Sequence, residues 1–360
     1  MTAALVTGAL LTSCGLSGGG EPSEDASQAS AGTTAPPLAD VTPLADVRDW
    51  DGEVVATART PVDPVADPEP ALPVTVTDAQ GTEVTVTDVS RVLALDLYGT
   101  LTRTVFELGL GDRLIGRDLS ADFEEAQDLP LVTQGAHSLS AEAILELDPT
   151  LIITDTSLGP WDVVLQMRDA GIPVVVVDSH RGLDNVADLI RAVAEPLGVP
   201  EAGDLLAERT QEQIDDVVAQ IAEVAPRDEG QKLRTVFLYV RGQSGVYYMF
   251  GEGSGAESLI EAIGGYDVAG EIGWDGMKPL TDEGLIAAQP DLVLMMTGGL
   301  DSAGGLDGLL KRLPALAETP AGQHRRFVAM DDAQILGFGA ITASVLNALA
   351  VATYAPESIS

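Results

Sequence analysis

Ser140-Ala-Glu-Ala-Ile-Leu-Glu-Leu-Asp-Pro-Thr-Leu-Ile-Ile153 has a counterpart in Thr281-Asp-Glu-Gly-Leu-Ile-Ala-Ala-Gln-Pro-Asp-Leu-Val-Leu294. Each string opens on a hydroxyl residue suited to cap a helix (Ser140, Thr281) and places a glutamate two residues in (Glu142, Glu283). Each then reaches a proline seven residues after that glutamate (Pro149, Pro290) and ends in an apolar run that reads as a buried strand. A capped helix, a proline stop and a strand recur in many α/β folds. Matching offsets throughout favour a duplicated lobe over coincidence.

Outward from these strings, strand and helix signals alternate. Before and after the first lie a hairpin (residues 73–88, turning at Ala79-Gln80-Gly81-Thr82) and strands at 91–96, 113–116, 150–154 and 173–178. Helices are expected at 101–108, 140–147, 161–170 and 185–195. A longer helix runs from Glu201 to about Val224, with Leu205, Leu206, Ile214, Val217, Val218, Ile221 and Val224 as its apolar residues. After the polar turn Pro226–Gly230 the alternation restarts, with strands at 235–240, 291–296 and 326–330 and helices at 254–263, 282–288, 305–310 and 339–352. Such spacing predicts parallel sheets covered on both sides. The expected fold is α/β: two Rossmann-like lobes, residues 72–199 and 231–355, joined by a single long backbone helix at 201–225.

With 45% hydrophobic and 21% charged residues, the 360-residue chain can build a substantial core. Its formal net charge of −37 argues against nucleic acid as a partner, because phosphate backbones need Lys/Arg stripes. The single cysteine, Cys14, leaves no internal disulfide and no cysteine-based metal site. Ala3 to Leu11 is an apolar run too short to span a bilayer, and Leu11-Thr-Ser-Cys-Gly15 resembles the lipobox of bacterial lipoproteins. No Lys or Arg precedes the run, a departure from such signals. The resemblance implies that residues 1–14 are a signal segment, that Cys14 carries lipid, and that the protein sits on the extracellular face of the cell membrane. Residues 15–70, rich in Gly, Ser, Pro, Ala and acids, are expected to form a disordered tether.

Arg234-Thr-Val-Phe-Leu-Tyr-Val-Arg-Gly242 reads as a strand carrying a phenol and a guanidinium. Alternation puts Phe237, Tyr239 and Arg241 on one face and Val236, Leu238 and Val240 on the other. A cation beside Tyr239 would favour the phenolate, a donor suited to a hard Lewis acid such as ferric iron. Taken alone, the stretch better suits a strand that ends at a wet surface.

Leu95-Asp-Leu-Tyr-Gly99, Leu108-Gly-Leu-Gly-Asp-Arg-Leu-Ile-Gly-Arg-Asp118 and Glu142-Ala-Ile-Leu-Glu-Leu-Asp-Pro149 resemble the first lobe of the solute-binding proteins of bacterial importers for haem, siderophores and cobalamin. Gly251-Glu-Gly-Ser-Gly-Ala-Glu-Ser-Leu-Ile260 and Gly264-Gly-Tyr-Asp267 resemble the second lobe. That family has the periplasmic-binding-protein fold with a rigid linking helix, and is not enzymatic. Within it the chain looks most like the haemin-binding lipoproteins of Gram-positive ABC importers, which hold haem iron between a histidine and a tyrosine followed two residues later by an arginine. The resemblance implies His137 and Tyr239 as axial ligands of haem iron, with Arg241 supporting Tyr239. It further implies that Glu142 and Glu283 dock onto the permease and ATPase complex, and that a monomer delivers the haemin. For an apolar cleft wall the candidates are Met277, Met295, Met296, Trp274 and Tyr354.

Three readings compete. His137, His180 and His324 could instead serve a Zn²⁺ or Mn²⁺ receptor, although no pair has helical i, i+4 spacing. A siderophore or cobalamin receptor would share the fold. As for an exported enzyme, Gly242-Gln-Ser-Gly245 is one residue short of a nucleophile elbow, and Gly251-Glu-Gly-Ser-Gly255 lacks the lysine of a phosphate loop.

Overall fold

The computed structural model describes residues 33–135 and 137–359. The expected signal segment, Cys14 and the beginning of the expected tether lie outside the described residues. In chain order the elements are β1 (Glu53–Ala56), β2 (Val74–Thr77), β3 (Glu83–Val86), β4 (Val92–Leu95), α1 (Thr100–Glu107), β5 (Thr133–Gln134), β6 (Ser138–Leu139) and α2 (Ala141–Glu146). Next come β7 (Leu151–Thr154), α3 (Trp161–Asp169), β8 (Val174–Val176), α4 (Val186–Ala194) and α5 (Pro200–Val224). After α5 follow β9 (Arg234–Arg241), β10 (Val246–Phe250), α6 (Ala256–Ala262), β11 (Tyr266–Asp267), α7 (Val268–Glu271), β12 (Met277–Pro279) and α8 (Asp282–Ala288). The chain closes with β13 (Leu292–Met296), α9 (Thr297–Ala303), α10 (Gly305–Arg312), α11 (Pro314–Ala317), α12 (Pro320–His324), β14 (Phe327–Met330), α13 (Asp332–Ile335) and α14 (Thr342–Tyr354).

Two sheets organise this mixed α/β fold. The first is parallel with order β4-β7-β8, every residue of its strands buried. The second has order β1-β14-β13-β9-β10-β12, with β11 pairing β9 near its start. Its β1, β14, β13 and β9 run parallel, whereas β10 and β12 are antiparallel additions beyond the expected strands. The strand expected at 113–116 forms only a single bridge between Leu114 and Val92. Between the sheets, α5 is 25 residues long, about 37 Å at 1.5 Å per residue. Its buried stripe, Ala202, Leu206, Thr210, Ile214, Val217 and Ile221, repeats at helical spacing, while Leu205 stands in solvent. Gly203 lets α5 cross α4 closely: a Cβ there would lie 2.5 Å from the Cβ of Ala194.

The tether expectation fails over residues 33–70. β1 adds a parallel strand beside β14, and Leu38, Val47, Trp50, Val54, Ala56 and Ala58 are buried in the main core. The segment builds no core of its own. It borrows one, through sparse apolar residues that reach a surface the rest of the chain supplies. Arg326 holds it by donating to the carbonyls of Trp50 (2.8 Å) and Arg48 (2.7 Å), and Asn347 brackets Pro36 and Leu38. Further on it is tied to the first half, where Arg103 donates to the carbonyls of Thr60 and Pro61, and to α5, where Arg209 pairs with Asp63. The segment therefore straps the two halves together. Among the described residues no helix is long and apolar enough to cross a membrane.

Candidate functional site

β9 separates two apolar clusters, as its alternation requires. Val236, Leu238 and Val240 face one; Phe237 and, partly, Tyr239 face the other. On the second face the rings form a column: Phe237 stacks on Phe250 at 5.0 Å, Tyr239 lies 6.1 Å from Phe250, and the Arg241 guanidinium sits 4.5 Å over the Tyr239 ring. Arg241 is held there by a 3.0 Å ion pair with Asp332, the first residue of α13. Asp332 in turn accepts a 3.0 Å hydrogen bond from the Gly298 amide near the start of α9. Both partners of the ion pair are about one-third exposed, so the pair is worth at most about 1 kcal/mol.

His137 comes from the other half. β5 and β6 pair in a short hairpin, Thr133 with Leu139 and Gln134 with Ser138, which places His137 at its turn. Leu139 anchors the hairpin by donating to the carbonyl of Gly159 at 2.7 Å. The imidazole is half-buried, and its Nδ1 is buried without a hydrogen-bond partner among the described residues. Burial holds the imidazole below the ordinary histidine range, and the positive charge of Arg241 lowers it further against an opposing pull from Asp332. His137 is thus a neutral donor at physiological pH.

Between the halves lies a cavity of about 560 Å³, within the range of small-molecule and cofactor sites. His137, Tyr98, Leu119 and Phe123 line it from the first half; Thr297, Asp332, Ala333 and Ile341 line it from the second; Val55 and Thr57 of the strap complete it. Tyr239 is not among the lining residues. It lies one layer behind, under the guanidinium whose partner Asp332 faces the cavity. Glu142 and Glu283 are exposed on α2 and α8.

The five apolar wall candidates do not line this cavity. Met295 is fully buried in β13 and Met296 is buried at its end. Tyr354 is 2% exposed and donates its hydroxyl hydrogen bond to the carbonyl of Ile263 at 2.7 Å; burial raises its phenol above the usual range. Trp274 packs over Gly284 and donates to the Met249 carbonyl at 2.9 Å. Met277 is exposed, but it lies level with Phe237 across β10, four residues down the sheet from Arg241. The correction has one cause: these side chains fill core and edge positions of the second half, on β12, β13, α14 and the segment before β12, while the cavity is lined by other helix starts, loops and β1. The missed residues include Tyr98, whose only signal was its place at the end of a strand before Gly99. There φ is +72° and a Cβ would meet the Ser120 carbonyl oxygen at 2.6 Å. Asp332 gave no signal at all, being 91 residues from Arg241.

The other histidines are elsewhere. His180 lies 3.2 Å from Asp184, and His324 lies 2.7 Å from Asp51 of the strap. Among the described residues, no three His, Cys, Asp or Glu side chains gather to hold a metal ion.

A family profile described as periplasmic binding protein matches residues 96–333. The chain belongs to the periplasmic binding protein family. Among solved structures it is similar to the heme binding protein HmuT: 42% identical, covering 86% of this chain and 99% of that one, with a TM-score of 0.81. Structures of HmuT in which an arginine, a histidine or a tyrosine is replaced by alanine match with TM-scores of 0.81–0.83. Among curated relatives, the ABC transporter substrate-binding lipoprotein YvrC of Bacillus subtilis is 24% identical over 63% of this chain and 70% of its own length. A cobalamin-binding protein of Halobacterium salinarum is 27% identical over 64% of this chain, and the alignment spans 60% of that relative. Members of this family are substrate-binding proteins rather than enzymes, and the chain is one of them.

Proposed function

We propose that the protein captures haemin between its two halves and delivers it to the permease and ATPase of an ABC importer. The observation that carries this reading is a neutral His137 lining the cavity from one half, with Asp332 lining it from the other and pairing Arg241, which caps the Tyr239 ring one layer behind. Ferric haem accepts imidazole and phenolate as axial ligands, and His137 and Tyr239 come from opposite halves of the chain. For Tyr239 to bond the iron its hydroxyl must turn into the cavity, with Arg241 staying over the ring face. Tyr98, Leu119, Phe123 and Ile341 supply the apolar surface a porphyrin needs. The similarity to HmuT over most of the chain supports haem as the ligand.

Residues 72–199 and 231–355 are read as the two lobes and 201–225 as their link. Glu142 and Glu283 are the docking carboxylates. Cys14 is the lipid anchor that holds a monomer at the outer face of the membrane, in keeping with the lipoprotein relative.

A second reading, cobalamin as the ligand, is favoured by the Halobacterium salinarum relative. Parallel titrations of the purified protein with haemin and with cyanocobalamin separate the two. The haem reading expects a saturating one-step Soret change and no response to cyanocobalamin; the opposite pair of results would replace haem by cobalamin.

A further inference from the structure

The duplicated strings with which the two halves announce themselves are alike in geometry as well as in sequence. Ser140 accepts a hydrogen bond from the Ala143 amide, and Thr281 accepts one from the Gly284 amide. Both helices end on a non-glycine residue in the left-handed region, Asp148 (φ 49°) and Gln289 (φ 40°), just before a buried proline. That conformation costs an L-residue about 1 kcal/mol or more. The described chain contains only one other instance, Arg325. Two at equivalent positions mark one device built twice.

Within that device the pattern of burial is also repeated. Ile144 and Leu285 point into the core. The next residues, Leu145 and Ile286, stand in solvent at 48% and 59% exposure. Each lies three residues after its glutamate, on the same helical face as Glu142 or Glu283. A single exposed aliphatic side chain needs no explanation. Two at the same place in both copies, each beside an exposed carboxylate, do.

We propose that Leu145 and Ile286 are the apolar half of the permease-docking surface, each entering an apolar socket beside the cationic group that meets Glu142 or Glu283. The inference rests on the reading of those glutamates as docking carboxylates. It adds two specificity residues. The carboxylate sets orientation and encounter, and the buried aliphatic group slows release.

The test uses the full chain with Cys14→Ala, so that no lipid holds it to a bilayer, and right-side-out membrane vesicles that display the importer. Vesicles from a strain lacking the permease set the background. Leu145→Ser and Ile286→Ser should each weaken vesicle binding about tenfold, and the double variant about a hundredfold, as expected for losing a buried aliphatic side chain at each site. Melting temperature and haemin titration should stay unchanged. If the double serine variant binds like the parent while the Glu142→Gln, Glu283→Gln double variant loses binding, the inference is overturned and the docking reading stands. If neither pair changes binding, the docking reading falls and takes the inference with it. Weakening by only one of the two serine substitutions would overturn the paired sockets.

Discussion

The two walls of the cavity hold their chemistry in opposite ways. On the first wall, His137 sits at a hairpin turn, neutral, with Nδ1 shut off from any partner. Behind the second, Tyr239 lies under a guanidinium that is already bonded to Asp332. One residue lines the cavity; the other stands a layer back from it. A ligand that bonds both must draw the Tyr239 hydroxyl into the cavity.

The strongest way to break this comparison is to remove a donor from either wall. His137→Ala and Tyr239→Ala should each weaken haemin binding on the order of 100-fold, the loss of about 3 kcal/mol of bonding, read by Soret titration. A smaller effect is expected from the cover. Arg241→Gln should weaken haemin roughly tenfold, as outer partners of metal ligands commonly do. The same substitution removes a positive charge that opposes the imidazolium, so it should raise the His137 titration towards the ordinary histidine value, visible by NMR.

The pH dependence sharpens the contrast further. The folded-state imidazole takes up its proton below the unfolded value of about 6.5, so the unfolded chain binds more protons as pH falls through that value. Stability from this group is therefore complete above about pH 6.5 and is lost as pH falls towards the depressed value. Haemin affinity should follow, flat through pH 6.5 in the parent and falling at higher pH in Arg241→Gln. The smallest effect belongs to Asp332→Asn, which frees Arg241 without removing it. Haemin affinity should change by no more than about threefold, and His137 should titrate still lower because an attractive charge has gone.

Much of the fold was legible because it is local. The caps Ser140 and Thr281, the proline stops and the stripe of α5 are short-range signals, and each forms the element it predicts. β9 was readable for the same reason, down to which face carries Tyr239 and Arg241. The strap was not, because composition measures whether a segment can bury itself, and residues 33–70 are buried by others. β12 escaped notice because its pairing depends on which strands meet, whereas β10, a run of strand formers just after the Gly242–Gly245 turn, carried a local hairpin signal that was passed over. Of the sequence candidates for the site, His137 alone lines the cavity, and the apolar wall was not foreseen. Methionines and aromatics announce hydrophobicity, but only the assembled loops decide that Phe123 and Ile341 face the cavity while Met295 and Tyr354 face the core.

The central claim, that both walls bond one iron, is tested most directly by the visible and EPR spectra of the ferric haemin complex in the parent, His137→Ala and Tyr239→Ala proteins. The expected result is a parent spectrum of histidine–tyrosinate ligation that each substitution changes in its own way. A parent spectrum left unaltered by Tyr239→Ala would contradict it, because the second wall would then hold no ligand.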